Sequence, residues 1–156
     1  MPPRGGDPSH ALEMARGLKG HVHAVNVTDG SRAVMRMSSL AVARLLLEEG
    51  IEPVLQMACR DRNRIAIQAD LLGAHALGIR NLLCLTGDPV RAGDQPKARP
   101  VNELESVRLL QQVTAFNRGD DPVKGELADG PTDIFAGAAA DPQCASWSGL
   151  VRRTER

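Results

Sequence analysis

Aromatic residues are nearly missing from this 156-residue chain: one Trp, two Phe and no Tyr, 2% in all. That shortage excludes the base-stacking platforms on which single-strand nucleic-acid binders rely. The core must be aliphatic, built from Leu, Val, Ile and Ala. Cysteine is also scarce. Cys59, Cys84 and Cys144 have no paired spacing, so neither a zinc ribbon nor a redox dithiol motif is present. Cys59 and Cys84 read as small core residues in a reducing compartment. There is no excess of charge of either sign, with 19 basic residues against 19 acidic. Neither nucleic acid nor an anionic membrane is therefore an expected partner. No window approaches the roughly 18 apolar residues of a membrane span. The opening residues, Met1 to Asp7, hold no apolar region of signal-peptide length, so the expected location is the cytoplasm.

Three phosphate-binding or nucleophile motifs are missing as well. No G-x-G-x-x-G follows a strand, no G-x-x-x-x-G-K-[ST] occurs, and no G-x-S-x-G elbow exists. What is present is a repeating alternation of helix-like and strand-like apolar segments, which predicts an α/β domain. Ser9 opens a helix with apolar residues at helical spacing through Leu18. His21 to Thr28 reads as a strand closed by Asp29 and Gly30. A helix follows over 34–49, with Ser38 and Ser39 as a start within it and Gly50 as its stop. Pro53 to Cys59 is the next strand, Ile65 to Leu77 the next helix, and Asn81 to Leu85 the central strand. A Gly-, Pro- and charge-rich loop over 90–100 precedes a helix from about Val101 to Phe116. Ile134 to Ala140 reads as a fourth strand, ending on Asp141 and Pro142. Residues 143–156 form an irregular tail.

Polar residues gather after the strands. Thr28, Arg60, Asp61, Asp88 and Asp141 all fall at carboxyl ends, where parallel α/β sheets place their chemistry. The apolar run 81–85 stops on Thr86-Gly87-Asp88-Pro89, which delivers the Asp88 carboxylate to that edge. Gly87 supplies the backbone freedom of the turn, and Pro89 keeps Asp88 out of any following helix. His21 and His23 share one strand face, but they open their strand rather than close it, so no metal is expected there. Arg60, Arg62 and Arg64 follow the second strand. At most one or two of them would reach a ligand, with Arg64 left on the surface.

Taken in order, residues 24–29, 32–38, 52–56, 59–63, 70–73 and 77–89 resemble the methylenetetrahydrofolate reductase family, in particular its bacterial branch that includes reductase domains fused to homocysteine methyltransferases. The resemblance covers about residues 2 to 142. It implies a (β/α)8 TIM barrel, of which four strands are present, and an oxidoreductase of one-carbon metabolism. Such an enzyme passes hydride from NAD(P)H through FAD to 5,10-methylenetetrahydrofolate, giving 5-methyltetrahydrofolate. Asp88 matches the family's aspartate beside the flavin, whose charge tunes the ring and favours a cationic iminium form of the folate. Gly87 would give backbone approach to the same ring. Thr28 matches a strand-end threonine near the flavin, Gln56 takes a position where other members carry a flavin-contacting His, and Asp141 falls near a further cofactor-lining position.

The departures carry expectations too. The family's catalytic glutamate ends a strand that would precede Met1, and the later strands would follow Pro142. The chain alone is therefore expected to be inactive and to associate, either with itself or with a missing barrel half. Two alternatives stand beside the reductase: a non-catalytic half-barrel that oligomerises, and a pterin-binding methyltransfer module without flavin.

Overall fold

A computed structural model describes residues 1–139. Helix α1 (Ser9–Leu18) leads into β1 (Val25–Val27), followed by α2 (Ser39–Glu48), β2 (Pro53–Ala58), α3 (Arg64–Ala76), β3 (Asn81–Leu85), α4 (Ser106–Arg118) and β4 (Phe135–Ala138). The four strands form one parallel sheet in the order β1-β2-β3-β4. A helix precedes each strand, as the alternation of the sequence predicts. An order that runs from first to last without reversal has consequences. Successive right-handed crossovers then place every helix on the same side, the winding of a barrel rather than of a doubly wound sheet.

Burial follows that winding. Alternate residues of the strands, Val27, Leu55, Met57, Leu82 and Cys84, point to the helix side and are buried. They pack against Val42, Ala43 and Leu46 of α2, Ile67 and Leu71 of α3, and Leu109, Val113 and Phe116 of α4 in one core cluster. The opposite face, carrying Asn26, Val54, Gln56, Leu83, Leu85 and Phe135, has no helix over it among the described residues. Phe135 is 78% exposed. This is an α/β fold of four parallel strands whose uncovered face corresponds to the interior of a TIM barrel.

Three elements start more than one residue later than the sequence reading places them. β1 starts at Val25, because Gly20 turns the chain with φ 84° and His21 N–H donates back to Leu18, which leaves His21 and His23 exposed outside the strand. α2 starts at Ser39, since Arg32 and Ala33 both have positive φ and Met37 N–H donates to the Pro3 carbonyl. α4 starts at Ser106, because Val101 N–H donates to the Arg60 carbonyl and Asn102 has φ 45°. Cys59 and Cys84 are fully buried, and burial raises their thiols to about 11 and about 12 respectively. They stay protonated at neutral pH and serve as packing groups.

One α4 side chain substitutes for a strand neighbour just before β4. Asn117 accepts from the Thr132 hydroxyl at 2.6 Å and the Ile134 N–H at 3.0 Å, and its amide donates to the Ile134 carbonyl at 2.8 Å. Thr132 and Ile134 are buried. Asn117→Ala leaves these groups unsatisfied, so it is expected to cost about 2–3 kcal/mol in urea unfolding. A loss below about 1 kcal/mol would mean that water replaces the amide.

Candidate active site at the carboxyl edge

The exits of β1, β2 and β3 meet at one end of the sheet. Asp88, three residues past β3, accepts a 2.6 Å hydrogen bond from the backbone N–H of Arg32 in the loop after β1. Arg60 is 4% exposed. Its guanidinium donates to the carbonyls of Gly30 at 3.2 Å and, more weakly, Asp88 at 3.4 Å. The same side chain pairs with Asp61 through contacts of 2.8 and 2.5 Å. The hydrogen bonds to Asp61, offset in part by burial and helped by the charges of Asp61, Asp29 and Asp88, raise the guanidinium's affinity for its proton further.

A second arginine ties the same edge from below. Arg62 reaches Asp29 at 2.6 Å and Asp70 on α3 at 2.8 Å. Burial works against its charge, and the two carboxylates more than offset that cost. Asp29 in turn accepts from the Ala58 N–H at 2.8 Å, which holds the β1 exit against the end of β2.

Between these exits lies a cleft of about 210 Å³, lined by Gln56, Ala58, Thr86, Gly87 and Asp88 together with Asp29. Gly87 has φ +97°, and a Cβ there would stand 2.8 Å from the Arg60 Cβ and 3.3 Å from that of Ala58. Its glycine is required by the close approach of β3's exit to β2, over and above the turn itself. Gln56 is half-buried, and its amide points along the uncovered face toward the Asn26 side chain at 3.4 Å. Thr28 is half-buried, with a hydroxyl sealed from solvent and no partner among the described residues. It does not line the cleft directly but precedes Asp29, which does.

Of the residues singled out from sequence, Gln56, Gly87 and Asp88 thus share one cleft, with Thr28 beside it. Asp141 lies outside the described residues, as does the tail over 143–156. A family model described as methylenetetrahydrofolate reductase matches residues 1–152. The chain belongs to the methylenetetrahydrofolate reductase family. No curated protein matches it significantly. Membership makes it an oxidoreductase of folate metabolism by family, in a family that is generally flavin-dependent. No helix among the described residues is long and apolar enough to cross a membrane.

Sequence reasoning missed two parts of the reductase-like edge. Thr86 Oγ1 accepts from the Ser106 N–H at 3.2 Å and so caps α4 from twenty residues away. Asp29 was read only as a strand terminator, yet it joins β1, β2 and Arg62. The signal for that role was weak: an Asp-Gly after one strand and alternate arginines after the next.

Proposed function

We propose that this chain contributes the flavin-side wall of a methylenetetrahydrofolate reductase, with Asp88 as its catalytic carboxylate. The observation that carries the reading is the placement of Asp88, Gly87 and Gln56 around one cleft at the carboxyl end of the sheet. The residues fit a flavin: Gln56 offers an amide, Ala58 and Gly87 keep the floor of the cleft low, and beside it the Thr28 hydroxyl is a buried group without a partner among the described residues. Thr28, Gln56, Gly87 and Asp88 would hold FAD, with Asp141 as a further contact. FAD, when bound, supplies a two-electron carrier between NAD(P)H and the methylene group of the folate.

The protein's own part is electrostatic. One Asp88 oxygen is fixed by the Arg32 N–H, and the other has no donor among the described residues. A fixed negative charge at that point favours the cationic iminium form of 5,10-methylenetetrahydrofolate over its neutral precursor. Arg60 and the Asp29–Arg62 pair hold the three exits in register, so the charge needs little reorganisation when the substrate's charge develops. In the closed assembly, saturable quenching of flavin fluorescence, followed by NAD(P)H bleaching and folate-dependent recovery of the yellow colour, is the expected result. Folate binding without flavin would overturn the reductase and favour methyltransfer.

A second feature bears on assembly. β1 and β4 each have one edge without a partner among the described residues, and the face carrying Phe135 is open to water. Such edges and apolar faces associate. We propose that a second copy of the chain or a separate barrel half closes this face, and that turnover requires the closure. Sedimentation should then find a dimer or larger species, or a complex with such a half. A stable monomer with ordinary reductase activity would overturn this proposal.

A further inference from the structure

A cleft of about 430 Å³ lies beside the one that holds Asp88, is larger than it, and shares only Asp29 with it. Its walls carry three guanidinium groups, Arg36, Arg60 and Arg62, together with Asp29, Asp61 and Ser38. Two of the cations are already engaged: Arg60 with Asp61, and Arg62 with Asp29 and Asp70. Asp94, which holds the Met35 N–H beside this cleft, is engaged with Arg4. Arg36 is different. Among the described residues no carboxylate lies within ion-pair distance of it. One terminal nitrogen donates to the Pro2 carbonyl at 3.0 Å, while its Nε is sealed from solvent with no acceptor.

The second terminal nitrogen of Arg36 has no protein acceptor among the described residues, and a guanidinium without a carboxylate partner is a ready donor to an anion. Ser38, at the same cleft, is the N-cap of α2 but makes no side-chain cap. The first N–H groups of that ten-residue helix therefore add positive potential on the same side.

We propose that this cleft binds an oxyanion, the carboxylate or phosphate group of a small ligand, with Arg36 as its partner through the terminal nitrogen that Pro2 does not engage. The site is separate from the flavin cleft and does not depend on the reductase reading. Carboxylate and phosphate share the required chemistry, so the test uses both. The full chain, ¹⁵N-labelled, is titrated with inorganic phosphate and, separately, with γ-linked triglutamate, following the amide signals of residues 33–38. At least one probe should give saturable shifts, with binding weakened about tenfold or more in Arg36→Gln. Ser38→Glu, a substitution at an exposed position, should block the same probe by repulsion while leaving thermal unfolding close to that of the parent. It decides the matter if loss of the Pro2 contact disturbs Arg36→Gln. Arg118→Gln, on the exposed side of α4, should bind as the parent does. Saturation by phosphate alone would assign the site to a phosphate group, and saturation by triglutamate alone to a carboxylate tail. Shifts that never saturate, or that persist in Arg36→Gln and Ser38→Glu alike, would overturn the proposal.

Discussion

Replacing Asp88 by Asn in the assembled, active protein is expected to slow hydride delivery to the folate by about 10²–10³-fold, or roughly 3–4 kcal/mol of transition-state stabilisation. Flavin retention should change far less. The reasoning rests on what Asn keeps. Its amide oxygen can still accept from the Arg32 N–H, as the carboxylate does at 2.6 Å, so the loop after β1 stays pinned. Its shape keeps the cleft, and Gly87 and Gln56 are untouched. Only the charge is lost, and with it the preference for a cationic folate. Asp88→Ala removes the hydrogen bond as well, so it should also weaken flavin binding. Stopped-flow measurement of the reductive and folate half-reactions separates the two effects. An Asn variant that reduces folate at the parent rate would remove Asp88 from the mechanism.

The placement of Asp88 was legible in the sequence because it depends on local signals. An apolar run of strand length stops on Gly, Asp and Pro, and a covered parallel strand has only one way to present such a turn. The succession of helices and strands was legible for the same reason, and so was the burial of Cys59 and Cys84. The starts of β1, α2 and α4 were not, because they are set by tertiary partners. Met37 N–H finds the Pro3 carbonyl, Val101 N–H finds that of Arg60, and Ser106 N–H finds the Thr86 hydroxyl. Each takes a backbone group that helical periodicity alone would have assigned to a helix. The alternation of His21 to Val27 likewise predicts a longer β1, but the left-handed turn at Gly20 sends residues 21–24 away from the ladder. Within the site, side chains on one strand exit could be placed from sequence. Contacts between exits, such as Asp29 with Arg62 or Arg60 with the Gly30 carbonyl, required the fold.

Arg62→Leu should be the most destabilising single change at this edge, by about 3–5 kcal/mol, because it leaves two carboxylates without their cation. The lower end is expected, since the Asp70 side chain is 33% exposed and can recover water, whereas Asp29 at 11% cannot. Asp29 keeps its hydrogen bond from the Ala58 N–H, which holds part of the geometry but does not neutralise the charge. The guanidinium also donates to the Ala58 carbonyl at 3.1 Å, and that acceptor too loses its donor. At fixed protein concentration, the urea midpoint should fall by roughly 1–3 M. Removing the charges on the other side tests the cause. Adding Asp29→Asn and Asp70→Asn to Arg62→Leu should recover much of the loss if stranded charge is responsible, because a neutral buried site need not be costlier than a paired one. No recovery would mean that the packing of the arginine stem, rather than its charge, holds α3 to the β1 exit. The two outcomes differ for function as well. Stranded charge would raise the energy of the Asp29 loop that lines both clefts, so the charge-neutral triple variant should regain the cleft geometry around Gln56 and Asp88 along with its stability, whereas a packing defect would leave both impaired.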